Sequence, residues 1–363
     1  MRKGETAIGG KPLCGAKAPA QLVWTLFSAV VGAGFATGRE LVLFFSGCPP
    51  SPVPWLLVSC LLIGVIAARD PAPGRASGAP GHWERAAGRL SAAAGMCLSW
   101  VTLVAMEAAL AHLVAPRASW PAALIFSAFI IWAGAFWPAA RGLGRLAQLL
   151  GPFIALAVVA LSLWALVAPF SMPPDGFARP AAPGPARSPT LSRCALQAAL
   201  YAASNGLFAR VPLLTVAAAT GQAPLPPALG AGALLAATAA STLWLVARFE
   251  TSHFPMPLVE AAFELHPWAY RLHVAVVTAS VYTTAVAAVV GLSQRSETGL
   301  QPPGLPRGAR TAVCAFWVLT ALPAAAPGFA PALGRFYPLA GWVALAATGL
   351  ELLFASLRRR GLY

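Results

Sequence analysis

The sequence predicts an all-α integral membrane protein of about ten transmembrane helices, with the first and the sixth broken near their centres. Three observations lead there. Hydrophobic residues make up 58% of the 363 residues and charged residues only 10%, a balance that lipid accepts but that cannot cover a water-facing surface. The apolar residues fall in runs of roughly 17–25, the length that crosses the hydrocarbon core, and none alternates with the period of two that a barrel strand needs. Two of the runs are interrupted at mid-length by glycines and polar residues, at Gly32–Gly38 and at Tyr201–Gly206.

In chain order the runs lie near 20–45, 54–68, 90–115, 119–137 and 147–169, then 193–219, 226–247, 267–293, 309–325 and 334–356. The second and ninth are short. Residues 1–19 read as an N-terminal tail, 20–169 as a first set of five helices, 170–192 as a linker, 193–356 as a second set of five and 357–363 as a C-terminal tail. Pro- and Gly-rich stretches such as Pro71–Gly81 and Pro173–Pro189 read as loops between spans, within one membrane domain. No secretory signal peptide is expected, because the first apolar run lacks a small-residue cleavage site and continues into a full span.

The net charge of +14 sits in short basic clusters between apolar runs, which suits anionic headgroups better than the continuous phosphate-binding face of a nucleic-acid partner. With a cytoplasmic N-terminus, the inner segments collect Arg69, Arg75, Arg85, Arg89, Arg141, Arg145 and Arg358–Arg360, and the outer segments hold fewer cations. Both termini are therefore expected in the cytoplasm, and the chain in the plasma membrane. The six cysteines have no metal-ligand or redox spacing and read as small apolar packing residues.

The first run carries Gly32-Ala33-Gly34-Phe35-Ala36-Thr37-Gly38-Arg39-Glu40. Glycine weakens a helix, and an Arg-Glu pair at this depth needs polar surroundings. Non-helical backbone survives inside a membrane only where it lines a cavity or is buried in protein. A break near Gly34 leaves an outer half-helix whose free N–H groups, near Phe35–Thr37, favour an anionic group such as a solute carboxylate. The inner half, ending near Ala29–Gly32, offers carbonyls to a cation or an amine. The competing reading is close helix packing through small residues.

Four other groups stand out. In the sixth run, Ser204 and Asn205 place polar side chains at mid-membrane and Tyr201 lies one turn earlier. These side chains face a ligand opposite the first break or bond a neighbouring helix. In the eighth run, Ser280 shares a face with Thr283 and Thr284, and these hydroxyls coordinate a hard cation or bond their own i−4 carbonyls. Glu107 in the third run is a proton relay or a partner for Arg39 in a gate. Arg210 is expected to snorkel to the inner headgroups. The segment holding Glu250, His253, Glu260, Glu264, His266 and His273 reads as a solvated amphipathic helix, and no metal site is expected there.

The interruptions occupy the first position of each set of five, and the third and eighth runs are the longest uninterrupted ones. Because five is odd, the two sets lie in opposite senses across the membrane. Paired interruptions of this kind point to a solute site between inverted repeats.

The string Gly32-Ala33-Gly34-Phe35-Ala36-Thr37-Gly38-Arg39-Glu40-Leu41 followed by Phe44-Phe45 resembles the opening signature of the YkvI-like membrane permeases, which are placed in the amino acid–polyamine–organocation superfamily. Tyr201-Ala202-Ala203-Ser204-Asn205 and Thr283-Thr284 resemble that family's motifs in its sixth and eighth spans. The resemblance implies a LeuT-type five-plus-five fold. It also implies a secondary transporter, carrying a small organic solute such as an amino acid or related amine by alternating access coupled to Na⁺ or H⁺. The implied solute site is Gly32, Ala33, Gly34, Phe35, Ala36, Thr37, Tyr201, Ser204 and Asn205. The implied ion site is Ala29, Gly32, Ser280, Thr283 and Thr284, with Arg39, Glu40 and Glu107 as gate or proton relay. No cofactor, metal or nucleic acid is expected; the partners are the bilayer and the solute. The rival from another class is a membrane-embedded solute receptor using the same pocket without net transport. An enzyme is not expected, because no nucleophile–base pair or phosphate-binding loop is present.

Overall fold

A computed structural model describes residues 17–46, 48, 51–69, 82–115, 118–136, 139–167, 190–300 and 307–359. The expected N-terminal tail up to residue 16, residues 168–189 around the expected linker, and the expected C-terminal tail beyond residue 359 lie outside the described residues. The described residues contain helices and connecting turns and no strand.

The first apolar run folds as three pieces: α1 (Lys17–Val30), α2 (Ala33–Ala36) and α3 (Arg39–Phe45). Then come α4 (Pro52–Ala68), α5 (His82–Val114), α6 (Trp120–Phe136) and α7 (Ala139–Val167). The second half has α8 (Leu191–Thr220), α9 (Leu225–Arg248), a single 3₁₀ turn (Thr251–His253), α10 (Pro257–Leu265), α11 (Pro267–Leu300), α12 (Arg307–Ala325) and α13 (Phe329–Arg359). Five of these, α5, α7, α9, α11 and α13, contain stretches long and apolar enough to cross a membrane, and α1, α4, α6 and α12 contain shorter apolar stretches. Side chains such as Leu156, Leu163 and Leu319 are exposed on the bundle surface, as lipid contact requires.

Local chemistry explains the ends. Ser51 accepts a hydrogen bond from the Val53 amide at 3.3 Å and Pro52 opens α4, where its missing N–H costs nothing. α8 stops at Gly221, whose φ of 67° only glycine adopts freely. The second interruption of the first run is made by Gly38, at φ 77°.

Glycines set the closest helix contacts. A β-carbon on Gly64 of α4 would lie 2.6 Å from the Ala228 carbonyl of α9, and one on Gly232 of α9 would lie 2.6 Å from the Cys60 carbonyl of α4. Each helix thus presents a glycine to the other's backbone, the small-residue packing that membrane helices use. Gly151 of α7 likewise meets Trp24 and Ser28 of α1, and Gly341 of α13 meets Leu200 of α8. α5 packs on both α11 and α13, and α11 packs on both α5 and α7.

The expected break in the sixth run is not there: α8 runs unbroken through Tyr201–Gly206. Its polar side chains satisfy themselves on the helix. Ser204 Oγ donates to the Leu200 carbonyl at 2.9 Å, and Asn205 Nδ2 to the Tyr201 carbonyl at 3.2 Å. Gly206 serves packing rather than unwinding, since a β-carbon there would lie 2.7 Å from the Ile66 Cβ of α4.

Two further expectations are corrected at opposite ends of the bundle. Arg210 does not snorkel. Its Nη1 lies 2.9 Å from Glu351 Oε1 of α13 and donates to Ser91 Oγ of α5 at 3.3 Å, and its Nε donates to the Ile66 carbonyl of α4 at 3.2 Å. The buried carboxylate of Glu351, which the sequence reading had not singled out, captures it. At the other end Cys48, just past α3, forms a disulfide with Cys194 in the first turn of α8. Sequence spacing could not show this pairing, because 146 residues separate the two cysteines. Replacing both by serine is expected to cost about 2–4 kcal/mol. The measurement is the unfolding midpoint in detergent with and without reductant. Equal midpoints would mean that the bridge carries no stability.

Candidate functional site

The site begins with what the interrupted first run leaves unpaired. α1 ends at Val30, α2 makes a single turn, and Gly38 re-aims the chain into α3. The freed carbonyls are taken up by two other elements, α11 and α10. Ser280 Oγ of α11 donates to the Val31 carbonyl through a short hydrogen bond. His273 Nε2, also on α11, donates to the Ala36 carbonyl at 3.0 Å, and the Leu258 amide of α10 donates to the Thr37 carbonyl at 2.8 Å. Thr37 Oγ1 meanwhile donates to the Gly34 carbonyl at 3.4 Å. The unwound backbone is therefore buried and satisfied by neighbours, the condition under which such backbone persists inside a membrane.

The α11 hydroxyls converge on the α1 side of the break. A β-carbon on Gly32 would lie 3.1 Å from the Thr284 methyl and 3.4 Å from its hydroxyl oxygen. That hydroxyl is buried and has no hydrogen-bond partner among the described residues. Thr283 Oγ1 instead donates to the Ser280 carbonyl within its own helix at 3.0 Å. Ala29 lies in the last turn of α1, nearby in sequence. Of the expected hydroxyl set, Ser280 and Thr284 address the break and Thr283 addresses its own backbone.

Glu40 occupies the α3 side. It sits in the first turn of α3, where a carboxylate complements the helix's positive end. Its Oε1 accepts from Asn205 Nδ2 of α8 at 2.9 Å. A β-carbon on Gly34 would lie 2.5 Å from Glu40 Oε2, so the absence of a side chain at Gly34 is what admits the carboxyl group. This changes the expectation for Phe35–Thr37: the space assigned to a solute carboxylate holds one of the chain's own. Phe35 and Ala36 are buried in the core, and Ala33 opens α2.

Tyr201 packs between Phe44 and Phe45, with ring centroids 5.4 and 5.2 Å away, and its buried hydroxyl has no partner among the described residues. Beyond Ser204 and Asn205 lies a small cavity lined also by Leu98, Val101, Thr102, Phe208, Tyr337 and Ala340. It has room for about one water molecule, so the site is closed around Glu40 in this conformation.

The expected Arg39–Glu107 pair does not form. Arg39 Nη1 donates to the carbonyls of Ser252 at 3.0 Å and Phe254 at 3.4 Å, because the turn between α9 and α10 folds over the start of α3. Glu107 is fully buried in α5, and neither carboxyl oxygen has a hydrogen-bond partner among the described residues.

The Glu/His segment is also only partly solvated. α10 buries Leu258, Val259, Ala261 and Ala262 against the bundle while Glu264 stays exposed. Half-burial, then the like charge of Glu264, push the Glu260 carboxyl up, against an opposing pull from His253. His273 was grouped with that segment but is fully buried at the break. The apolar residues on either side of it in the eighth run were the missed signal, since an ionisable residue inside a span faces the protein interior.

No family model matches the chain, and no curated protein matches it. Among solved structures, the crystal structure of MhsT in complex with L-phenylalanine is similar, with 17% sequence identity and a TM-score of 0.50. The alignment covers 93% of this chain and 89% of that one. At this identity the likeness speaks to fold alone: this is a multi-pass, all-helical membrane protein of LeuT type.

Proposed function

We propose that the protein is a secondary transporter that moves a small organic solute, an amino acid or a related amine, by alternating access coupled to a Na⁺ or H⁺ gradient. The observation that carries the proposal is the interrupted first run, with its freed backbone and Glu40 enclosed by α8 and α11. A purely structural bundle has no use for this break, nor for buried Thr284 and Tyr201 hydroxyls that lack partners among the described residues. The likeness to MhsT, crystallised with L-phenylalanine, supports this class of solute. So does the resemblance of the Gly32–Leu41 string to the YkvI-like permeases.

The packing supports a ten-span, five-plus-five inverted repeat. Advancing each span by five turns the α1–α7 contact into α8–α13 and the α5–α13 contact into α11–α7, and the reciprocal Gly64 and Gly232 contacts map onto each other. The orientation with both termini in the cytoplasm of a plasma-membrane protein is supported by the basic inner segments. It is also supported by the Cys48–Cys194 bridge at the opposite end, where an oxidising exterior would maintain it.

Uptake into proteoliposomes tests the proposal. Concentrative flux that ionophores abolish is the expected result, and saturable binding without flux would make the protein a receptor. Na⁺ is the ion best suited to the Val31 carbonyl and the Ser280 and Thr284 oxygens, all hard ligands. Thr284→Val is expected to raise the Na⁺ concentration for half-maximal uptake by about tenfold, the effect of losing one hydrogen-bond-strength contact of about 1.4 kcal/mol. An unchanged Na⁺ titration would remove the cation site and leave buried Glu107 as the proton carrier.

A further inference from the structure

Building on the transporter reading, we infer that Glu40 is the counter-ion of the transported solute, so that the site takes an organic ammonium ion with no carboxylate of its own. The carboxyl group lies against Gly34 at the break and is held there by Asn205. A zwitterionic solute would bring a second carboxylate to the same space, against like charge in a water-excluded site.

No arginine or lysine of the described residues answers Glu40. Arg39 is turned away to the carbonyls of Ser252 and Phe254, and Arg210 is paired with Glu351 of α13. A carboxylate enclosed at this depth needs a cation or a proton beside it. The solute supplies the cation.

The surroundings suit an ammonium group. Its N–H groups only donate, and the site offers acceptors: Glu40 Oε2 and the buried hydroxyl of Tyr201, which has no partner among the described residues. Phe44 lies one helical turn after Glu40 on α3, its ring clusters with those of Phe45 and Tyr201, and aromatic faces attract cations. The cavity beyond Asn205 continues over Leu98, Val101 and Phe208, apolar side chains that suit a hydrocarbon tail once the site opens.

Matched solute pairs that differ by a carboxylate test the inference on the full-length protein: phenylalanine against phenethylamine, and leucine against 3-methylbutylamine. Thermal shift in detergent reads binding, and proteoliposomes read flux. The amine of at least one pair is expected to bind about tenfold or more tightly than its parent amino acid, and Glu40→Gln to weaken that amine by a similar factor. Glu40→Asp keeps the charge and is expected to retain the preference for amines, which separates charge recognition from misfolding of the glutamine variant. Preference for the amino acid, no binding by either amine, or unchanged amine affinity in Glu40→Gln overturns the inference. Flux of the amino acids alone would overturn it and leave the transporter reading standing. Glu40-dependent amine binding without flux would uphold it and overturn transport.

Discussion

Gly34→Ala is expected to cut uptake by about tenfold or more while the protein still inserts and folds. The added methyl would sit 2.5 Å from Glu40 Oε2 and 2.9 Å from Glu40 Cβ, too close for the carboxyl group to stay where it is. Driving it out breaks the hydrogen bond to Asn205, and a bond to a charged group is worth about 1.5–3 kcal/mol, enough for the tenfold effect. The overpacking itself should cost about 1–3 kcal/mol of stability. The control is Gly349→Ala: Gly349 lies in α13 with open space where its β-carbon would go, so flux and unfolding midpoint should both be unchanged. Normal uptake by Gly34→Ala would separate the break from the transport site.

Arg210→Ala is expected to cause the largest loss of stability, about 3–5 kcal/mol, because it leaves the Glu351 carboxylate buried without its partner. Arg210 also holds the Ile66 carbonyl and Ser91, so one side chain ties α8 to α4, α5 and α13. Replacing both charges, Arg210→Met with Glu351→Leu, should recover most of the loss, since apolar residues of similar volume need no partner in this interior. Denaturation in detergent across the single and double variants measures the coupling. Additive effects would show that the pair contributes nothing as a pair.

Much of this molecule could be read from residue order because membrane helices follow from apolar run length, which depends on few long-range contacts. The break in the first run was legible for the same reason: Gly32, Gly34 and Gly38 beside Arg39-Glu40 conflict with a simple span wherever the rest of the chain lies. The sixth run misled because Ser204, Asn205 and Gly206 carry the same local signal with a different cause. There Ser204 bonds its own helix, Asn205 divides its bonds between its own helix and Glu40, and the glycine makes room for Ile66. Partnerships across long separations were not legible. Arg210 with Glu351, Cys48 with Cys194 and His273 with Ala36 each depend on which helices meet, and nothing local distinguishes a paired arginine from one that reaches the headgroups. Glu40 falls between these cases: its depth marked it as functional, but only Gly34 and Asn205 around it show that it fills the break.

Alternating exposure of the break is the central claim, and solvent labelling of a single cysteine at Ser204 tests it most directly. Ser204 lines the cavity beside Asn205, and cysteine is nearly isosteric with it. In sealed vesicles of a variant whose free cysteines are replaced by serine, with the Cys48–Cys194 bridge kept, a membrane-impermeant maleimide is applied from each side in turn. Labelling of that one position from the outside under one ion gradient and from the inside under the opposite gradient is the predicted result. Labelling confined to one face under every condition would contradict it.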